Sequence, residues 1–292
     1  MRILLATDGS KDAAAAIAFL LELPLPASAK LRIVSAVTFP TFAFEPLPVR
    51  EFKSSVLEDV RRVVDEARAT LAPRGFDIET EVAIGNPEEE IARIAREWGA
   101  DLVVLGARGL GRIKRFLLGS VSLAVARHVS CPVLVVKGRA RKLESVLVAM
   151  DGSEDSFEAL RFLLSLPLMR RTKLRLLSVV EPIRYPTSAP GAVRGHLIRM
   201  VKEIENERRG ELESVLEKAA AELEGSITRV TRSTPTGDPA DVIVAAAHDS
   251  DLVVVGARGL GGMSRLLLGS VSEKVLRYAP CSVLIVKERS RD

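Results

Sequence analysis

Two α/β domains of the doubly wound type, joined in tandem, are expected from three observations. The first is a duplicated glycine-rich stretch. Gly106-Ala107-Arg108-Gly109-Leu110-Gly111 is followed by Leu118-Gly119-Ser120-Val121-Ser122, and Gly256-Ala257-Arg258-Gly259-Leu260-Gly261 by Leu268-Gly269-Ser270-Val271-Ser272. The second is that each copy directly follows an apolar run opening Asp-Leu-Val-Val. The third is the alternation of short apolar runs with longer stretches of helical period. That alternation implies a parallel sheet with helices on both faces. Length agrees, because 292 residues suit two domains of about 140. An apolar content of 47% fills two cores, and with aromatics at 4% the packing is aliphatic.

The elements follow in order. Each repeat opens on a continuous apolar run, Arg2–Ala6 or Ser145–Ala149, as expected of a strand buried on both faces. Asp8-Gly9-Ser10 and Asp151-Gly152-Ser153 then turn into helices over Lys11–Leu23 and Glu154–Leu166, stopped by Pro24 and Pro167. Second strands are expected over Leu31–Val37 and Leu174–Val180, then proline-rich loops at Thr38–Pro48 and Glu181–Pro190. Long charged helices come next, about Arg50–Ala72 and Arg194–Leu223; Phe52, Val56, Val60, Val63, Val64 and Ala67 keep helical spacing. The third strands, Ile78–Ile84 and Ile227–Ser233, are more polar and suit a sheet edge. Gly85-Asn86-Pro87 and Gly237-Asp238-Pro239 open third helices with proline at the first position. Fourth strands at Leu102–Leu105 and Leu252–Val255 lead into the glycine loops. Last helices at Ser120–Val129 and Ser270–Ala279 precede fifth strands at Val133–Lys137 and Val283–Lys287. The domains are 1–138 and 144–288, with a short basic linker, Gly138–Glu144.

The net charge of +4 is mild, and the basic clusters Arg112–Arg115, Arg139–Lys142 and Arg170–Arg175 carry no interleaved aromatics. Solvated faces and a phosphate-friendly pocket explain them better than a nucleic-acid surface. Cys131 and Cys281 occupy the same position in the two copies and form no metal or redox spacing, so buried thiols are expected. The first apolar run meets Asp8 within a few residues, unlike a signal peptide, and no run approaches a membrane span. A cytoplasmic protein is expected.

In a doubly wound sheet the ligand sits beyond the carboxyl ends of the strands, where strand order reverses. Asp8 ends strand one and Gly106 ends strand four, so neighbouring strands would bring the carboxylate and the glycine loop to one pocket. Gly106 and Gly109 would let the loop turn with its N–H groups exposed. Gly119 would let a phosphate approach the next helix, and Ser120 would cap that helix or donate its hydroxyl. The P-loop lysine pattern is absent. Neither copy supplies a recurring acid–base pair or nucleophile, and His128, His196 and His248 make no catalytic case.

These residues carry a resemblance along essentially the whole chain. The strand ending in Asp-Gly-Ser, the Gly-Asn-Pro or Gly-Asp-Pro helix start, Asp-Leu-Val-Val-Leu-Gly-Ala-Arg-Gly, Gly-Ser-Val-Ser and the terminal Cys-Pro-Val-Leu-Val-Val resemble the universal stress protein family in tandem form. The resemblance implies Rossmann-like five-stranded domains with strand order 3-2-1-4-5, their fifth strands paired antiparallel as an intramolecular pseudo-dimer. Association of two chains through other faces is a further assembly.

Both copies are similar to the ATP-binding subclass, which carries G-x2-G-x9-G-(S/T). By that resemblance Asp8 and Asp151 contact the nucleoside, and Val37 and Val180 offer backbone groups to adenine. Gly106, Gly109, Gly119 and Ser120, with Gly256, Gly259, Gly269 and Ser270, hold the ribose and phosphates. Mg or Mn rides mainly on the phosphates. The implied function is an ATP-binding stress-response regulator acting on an unidentified protein partner. The alternatives are a slow ATPase or nucleotidyl-transfer enzyme, and a scaffold with vestigial sites.

The copies differ in places. The Gly237–Asp251 segment is two residues shorter than Gly85–Asp101, so the third helix is trimmed or reset. His128 and Pro132 correspond to Tyr278 and Ser282. Arg112-Ile113-Lys114 becomes Gly262-Met263-Ser264, which gives the first site more charge for phosphates. Arg108 and Arg258 either reach phosphates or face solvent.

Overall fold

The computed structural model describes residues 1–23, 25–26, 28–40, 47–109, 118–138, 142–166, 172–184, 191–225, 229–260 and 268–287, with only the backbone at residues 47 and 191–193. The first half runs β1 (Arg2–Ala6), α1 (Lys11–Glu22), β2 (Lys30–Val37), α2 (Leu47–Leu71), β3 (Asp77–Ile84), α3 (Pro87–Trp98), β4 (Leu102–Gly106), α4 (Ser120–His128) and β5 (Val133–Val136). The second runs β6 (Ser145–Ala149), α5 (Glu154–Ser165), β7 (Lys173–Leu177), α6 (Gly191–Glu222), β8 (Arg229–Ser233), α7 (Pro239–Ala246), β9 (Leu252–Gly256), α8 (Ser270–Tyr278) and β10 (Ser282–Val286).

All ten strands share one sheet, ordered β3-β2-β1-β4-β5-β10-β9-β6-β7-β8. Strand order reverses at β1 and β6, which lie between β2 and β4 and between β7 and β9. Pairing is parallel within each half, and β5 meets β10 antiparallel through Val135↔Val283, Leu134↔Leu284 and Val133↔Ile285. Alternation splits the strands between two faces. Ile3 and Leu5 enter one core, Leu4 and Ala6 the other, and each core continues across the seam through Leu134 and Leu284 or Val133 and Val283. The apolar edges that the fifth strands would expose alone are thereby buried. The polar strands β3 and β8 form the outer edges, as their sequences predict.

The seam carries a reciprocal clasp. Lys137, just past β5, donates from Nζ to Ala279 O at the end of α8, 2.8 Å away. Lys287, just past β10, donates from Nζ to Arg127 O (2.8 Å) and Val129 O at the end of α4. Cations are favoured at helix C-termini. Burial nevertheless pushes both ammonium groups down to about 8. Arg127 and Glu273 join α4 to α8 with a 2.6 Å ion pair.

Some elements depart from expectation. Domain two's second strand ends at Leu177, with Val180 returning as an isolated bridge to Thr236. Phe52 is 60% exposed, whereas Val64 and Ala67 are buried. The 25-residue α2 is about 38 Å long, and its buried apolar residues lie in its second half. The trimmed third helix is realised as the 8-residue α7 followed by a 3-10 turn over Ala247–Asp249, against 12 residues in α3. Pro24 and Pro167 lie outside the described residues; α1 and α5 are capped at Leu23 and Leu166. Cys131 is buried and Cys281 only half-buried.

Candidate functional site

Each half carries a cavity at the carboxyl ends of its strands, at the reversal of strand order. The first, about 280 Å³, is lined by Asp8, Gly106, Gly109, Gly119 and Ser120, with Val34, Ala36 and Ile91 supplying apolar wall. The second, about 340 Å³, is lined by Asp151, Gly256, Gly259, Gly269 and Ser270, with Leu177, Val179 and Ile243. Two carboxylates, six glycines and two serines expected at the sites are thus brought together as expected. Val37 and Val180 do not line the cavities. Their carbonyls accept from Gly85 N and Gly237 N, each at 3.0 Å, and Val180 N donates to Pro235 O.

The local chemistry explains the placement. Gly9 and Gly152 take φ of 75° and 86°, which turns the chain sharply after β1 and β6. Asp8 Oδ1 then accepts from Ser10 N at 3.0 Å, and Asp151 Oδ1 from Ser153 N at 2.9 Å. Ser10 and Ser153 cap α1 and α5. The Ser10 hydroxyl also donates across to the Arg108 carbonyl at 3.2 Å, whereas the Ser153 hydroxyl donates to Asp151 Oδ1 at 2.5 Å. The glycines divide by role. A Cβ on Gly106 would lie 2.4 Å from the Asp12 carbonyl carbon, so this glycine lets α1 pack on β4. A Cβ on Gly109 would lie 2.4 Å from Asp8 Oδ2, and one on Gly259 2.5 Å from Asp151 Oδ2. These glycines bring loop and carboxylate into contact.

The helix starts carry the strongest chemical signal. α1, α3, α5 and α7 are capped by the side chains of Ser10, Asn86, Ser153 and Asp238. α4 and α8 open on Gly119 and Gly269 with no side-chain cap, and these two open onto the cavities. First-turn N–H groups need partners, and an anion serves them. The expected capping role of Ser120 is therefore corrected. It is the first helical residue, because glycine occupies the cap and so clears the approach. Ser122 and Ser272 instead donate inward to Gly106 O (2.8 Å) and Gly256 O (2.6 Å), tying helix to strand.

Arg108 and Arg258 line the two cavities, and each is ion-paired rather than simply facing solvent. Arg108 Nε donates to Asp12 Oδ2 at 2.8 Å. Arg258 forms a fork with Asp155 at 2.9 and 2.8 Å, and Asp155 is 4% exposed. Paired charges in a half-buried niche outcompete a solvent-facing pose. Asp12 and Asp155 escaped the sequence reading, although both repeats place aspartate four residues after the first. Ser122, Ser272, Lys137 and Lys287 escaped it too, and each pair recurs in register. Arg112-Ile113-Lys114 and Gly262-Met263-Ser264, with Gly111 and Gly261, lie outside the described residues.

Among the described residues no helix is long and apolar enough to cross a membrane. No cluster of three His, Cys, Asp or Glu side chains suited to a metal occurs among them.

A doubly wound α/β protein with twin ligand cavities at the reversals of strand order is the class that fold and sites define. The family model for universal stress proteins matches residues 1–137 and again 142–287. The chain belongs to the universal stress protein family, in tandem form. A universal stress protein of Mycobacterium tuberculosis strain H37Rv is 28% identical over 302 residues, covering 98% of this chain and 97% of that one. A Bacillus subtilis strain 168 member is 32% identical over 146 residues, covering 47% of this chain and 98% of its own. The crystal structure of a universal stress protein from Archaeoglobus fulgidus superposes with a TM-score of 0.65 at 21% identity, covering 100% of this chain and 97% of that one.

Proposed function

We propose that the protein is an ATP-binding, nucleotide-responsive regulator in stress physiology, with one potential nucleotide site in each half. The observation that carries this reading is the pair of helices left without side-chain caps where they open onto the cavities. Gly119, Ser120, Gly269 and Ser270 would meet the phosphates. Asp8 and Asp151 would meet the sugar, and Ala36 and Val179, the neighbours of Val37 and Val180 that do line the cavities, would border the base. Mg or Mn would be held mainly by phosphate oxygens. The described lining offers no histidine, lysine or cysteine, which favours holding the nucleotide over turning it over.

Calorimetric titration with ATP, with AMP and GTP as comparisons, tests the reading. Saturable binding and a rise in melting temperature are expected, since a ligand at a hundredfold excess over Kd contributes about 2.7 kcal/mol per site. Gly109→Val with Gly259→Val should abolish both effects, because the new side chains enter the Asp8 and Asp151 carboxylates. No saturable binding and no thermal shift in the wild type would overturn it.

A further inference from the structure

We infer that the two sites select different bases, and that the second prefers a guanine nucleotide through the carboxylate of Glu181. The inference rests on the nucleotide reading of the cavities and sharpens it for one of them. Beyond β7 the backbone stays extended: Ser178 N donates to Ser233 O and Val180 N to Pro235 O. Side chains therefore keep alternating. Leu177, Val179 and Glu181 line the cavity, while Ser178 and Val180 are 1% exposed and absent from its wall. Position 181 thus stands at the cavity rim on the binding face.

Strand order fixes which end of a nucleotide meets it. The uncapped start of α8 and Gly259 follow β9, Asp151 follows β6, and Glu181 follows β7. Two strand spacings of about 4.8 Å each put the rim roughly 10 Å from the phosphate end. A nucleotide laid across that span has its base between Val179, Pro239 and Ile243, with Glu181 at the base edge. A carboxylate there only accepts. Guanine presents N1–H and the N2 amino group side by side, two donors for two oxygens. Adenine presents its N6 amino group beside the unprotonated N1, whose lone pair faces the carboxylate.

Among the described residues the first site shows no such carboxylate at this rim. Its counterpart, Thr38, is absent from the cavity wall, and its hydroxyl donates to Gly85 O at 2.7 Å. The backbone N–H of Val180 is already committed, so the second site would read the base through the Glu181 side chain, where the equivalent Thr38 offers no carboxylate.

The test compares GTP with ATP by calorimetry in Gly109→Val protein, which silences the first site. GTP is expected to bind about tenfold more tightly or better, as one charge-assisted bond implies. Glu181→Thr in that background should bring the ratio to about one. Native mass spectrometry of wild-type protein in equimolar GTP and ATP keeps the question open to refutation if Gly109→Val misfolds. One guanine and one adenine nucleotide per chain is expected. Two adenine nucleotides per chain, or a ratio unmoved by Glu181→Thr, would overturn the inference alone. Absence of any nucleotide from the wild type would overturn the nucleotide reading as well.

Discussion

Gly106→Ala isolates the structural role of the motif's first glycine. The added Cβ would sit 2.4 Å from Asp12 C, 2.6 Å from Asp12 O and 2.7 Å from Ala13 N, all backbone atoms of the first turn of α1. Ordinary contact begins near 3.4 Å, so the helix must withdraw by about 1 Å. That helix buries Ala13, Ala16, Phe19 and Leu20, and its start carries Asp12, the partner of Arg108. Overpacking of this kind costs about 1–3 kcal/mol. Loss of a glycine from the unfolded chain offsets about 0.4–1 kcal/mol. A net destabilisation of about 1–2 kcal/mol is expected. Gly256→Ala meets Asp155 C at 2.8 Å, Ser156 N at 2.9 Å and Asp155 Cβ at 3.0 Å, so its cost should be smaller. Urea unfolding followed by far-ultraviolet circular dichroism reads both. Wild-type stability in Gly106→Ala, or a larger loss in Gly256→Ala, would refute the assignment of this glycine to helix–strand packing.

Two further outcomes follow from buried charge. Lys137 and Lys287 hold pKa values of about 8 against an ordinary 10.5, so between these values the unfolded chain binds more protons than the folded one. Stability should therefore rise with pH through that window, by up to about 1.4 kcal/mol per unit for each lysine, and fall as pH drops through 8. The Cys281 thiol, pushed by burial from 9.0 to about 11, opposes the rise above pH 9. Urea midpoints between pH 8 and 9 are the clean comparison, and the rise should vanish in Lys137→Met with Lys287→Met. Asp155→Ala strips two side-chain bonds from an arginine whose side chain is 19% exposed. It should cost about 2–4 kcal/mol, more than Asp12→Ala, where both partners are wetter; the reverse order in thermal melts would count against it.

Much of this was legible in the sequence for physical reasons. Buried parallel strands must read as unbroken apolar runs, and proline and glycine punctuate their turns, so element order and the placing of Asp8 beside Gly109 could be deduced. Contacts made only in three dimensions were less accessible. Nothing local shows that Arg108 folds back on Asp12, since 96 residues separate them. The glycine motif merges two requirements, close helix packing at Gly106 and close carboxylate contact at Gly109, which only neighbouring atoms distinguish. Phe52 kept the helical spacing of a core residue and is still exposed, because periodicity identifies a face but not how far along the helix that face is covered.

The lysine clasp bears on how the two halves came to depend on each other. Each last helix presents its amino end to its own cavity, while its carboxyl end is held by a lysine encoded in the other half. The linker then supplies proximity, raising the effective concentration of one half around the other, while the strands and lysines supply the geometry. A half transplanted alone would leave behind the cation that closes its last helix. Each repeat in that sense depends on the other for the cation at the carboxyl end of its last helix.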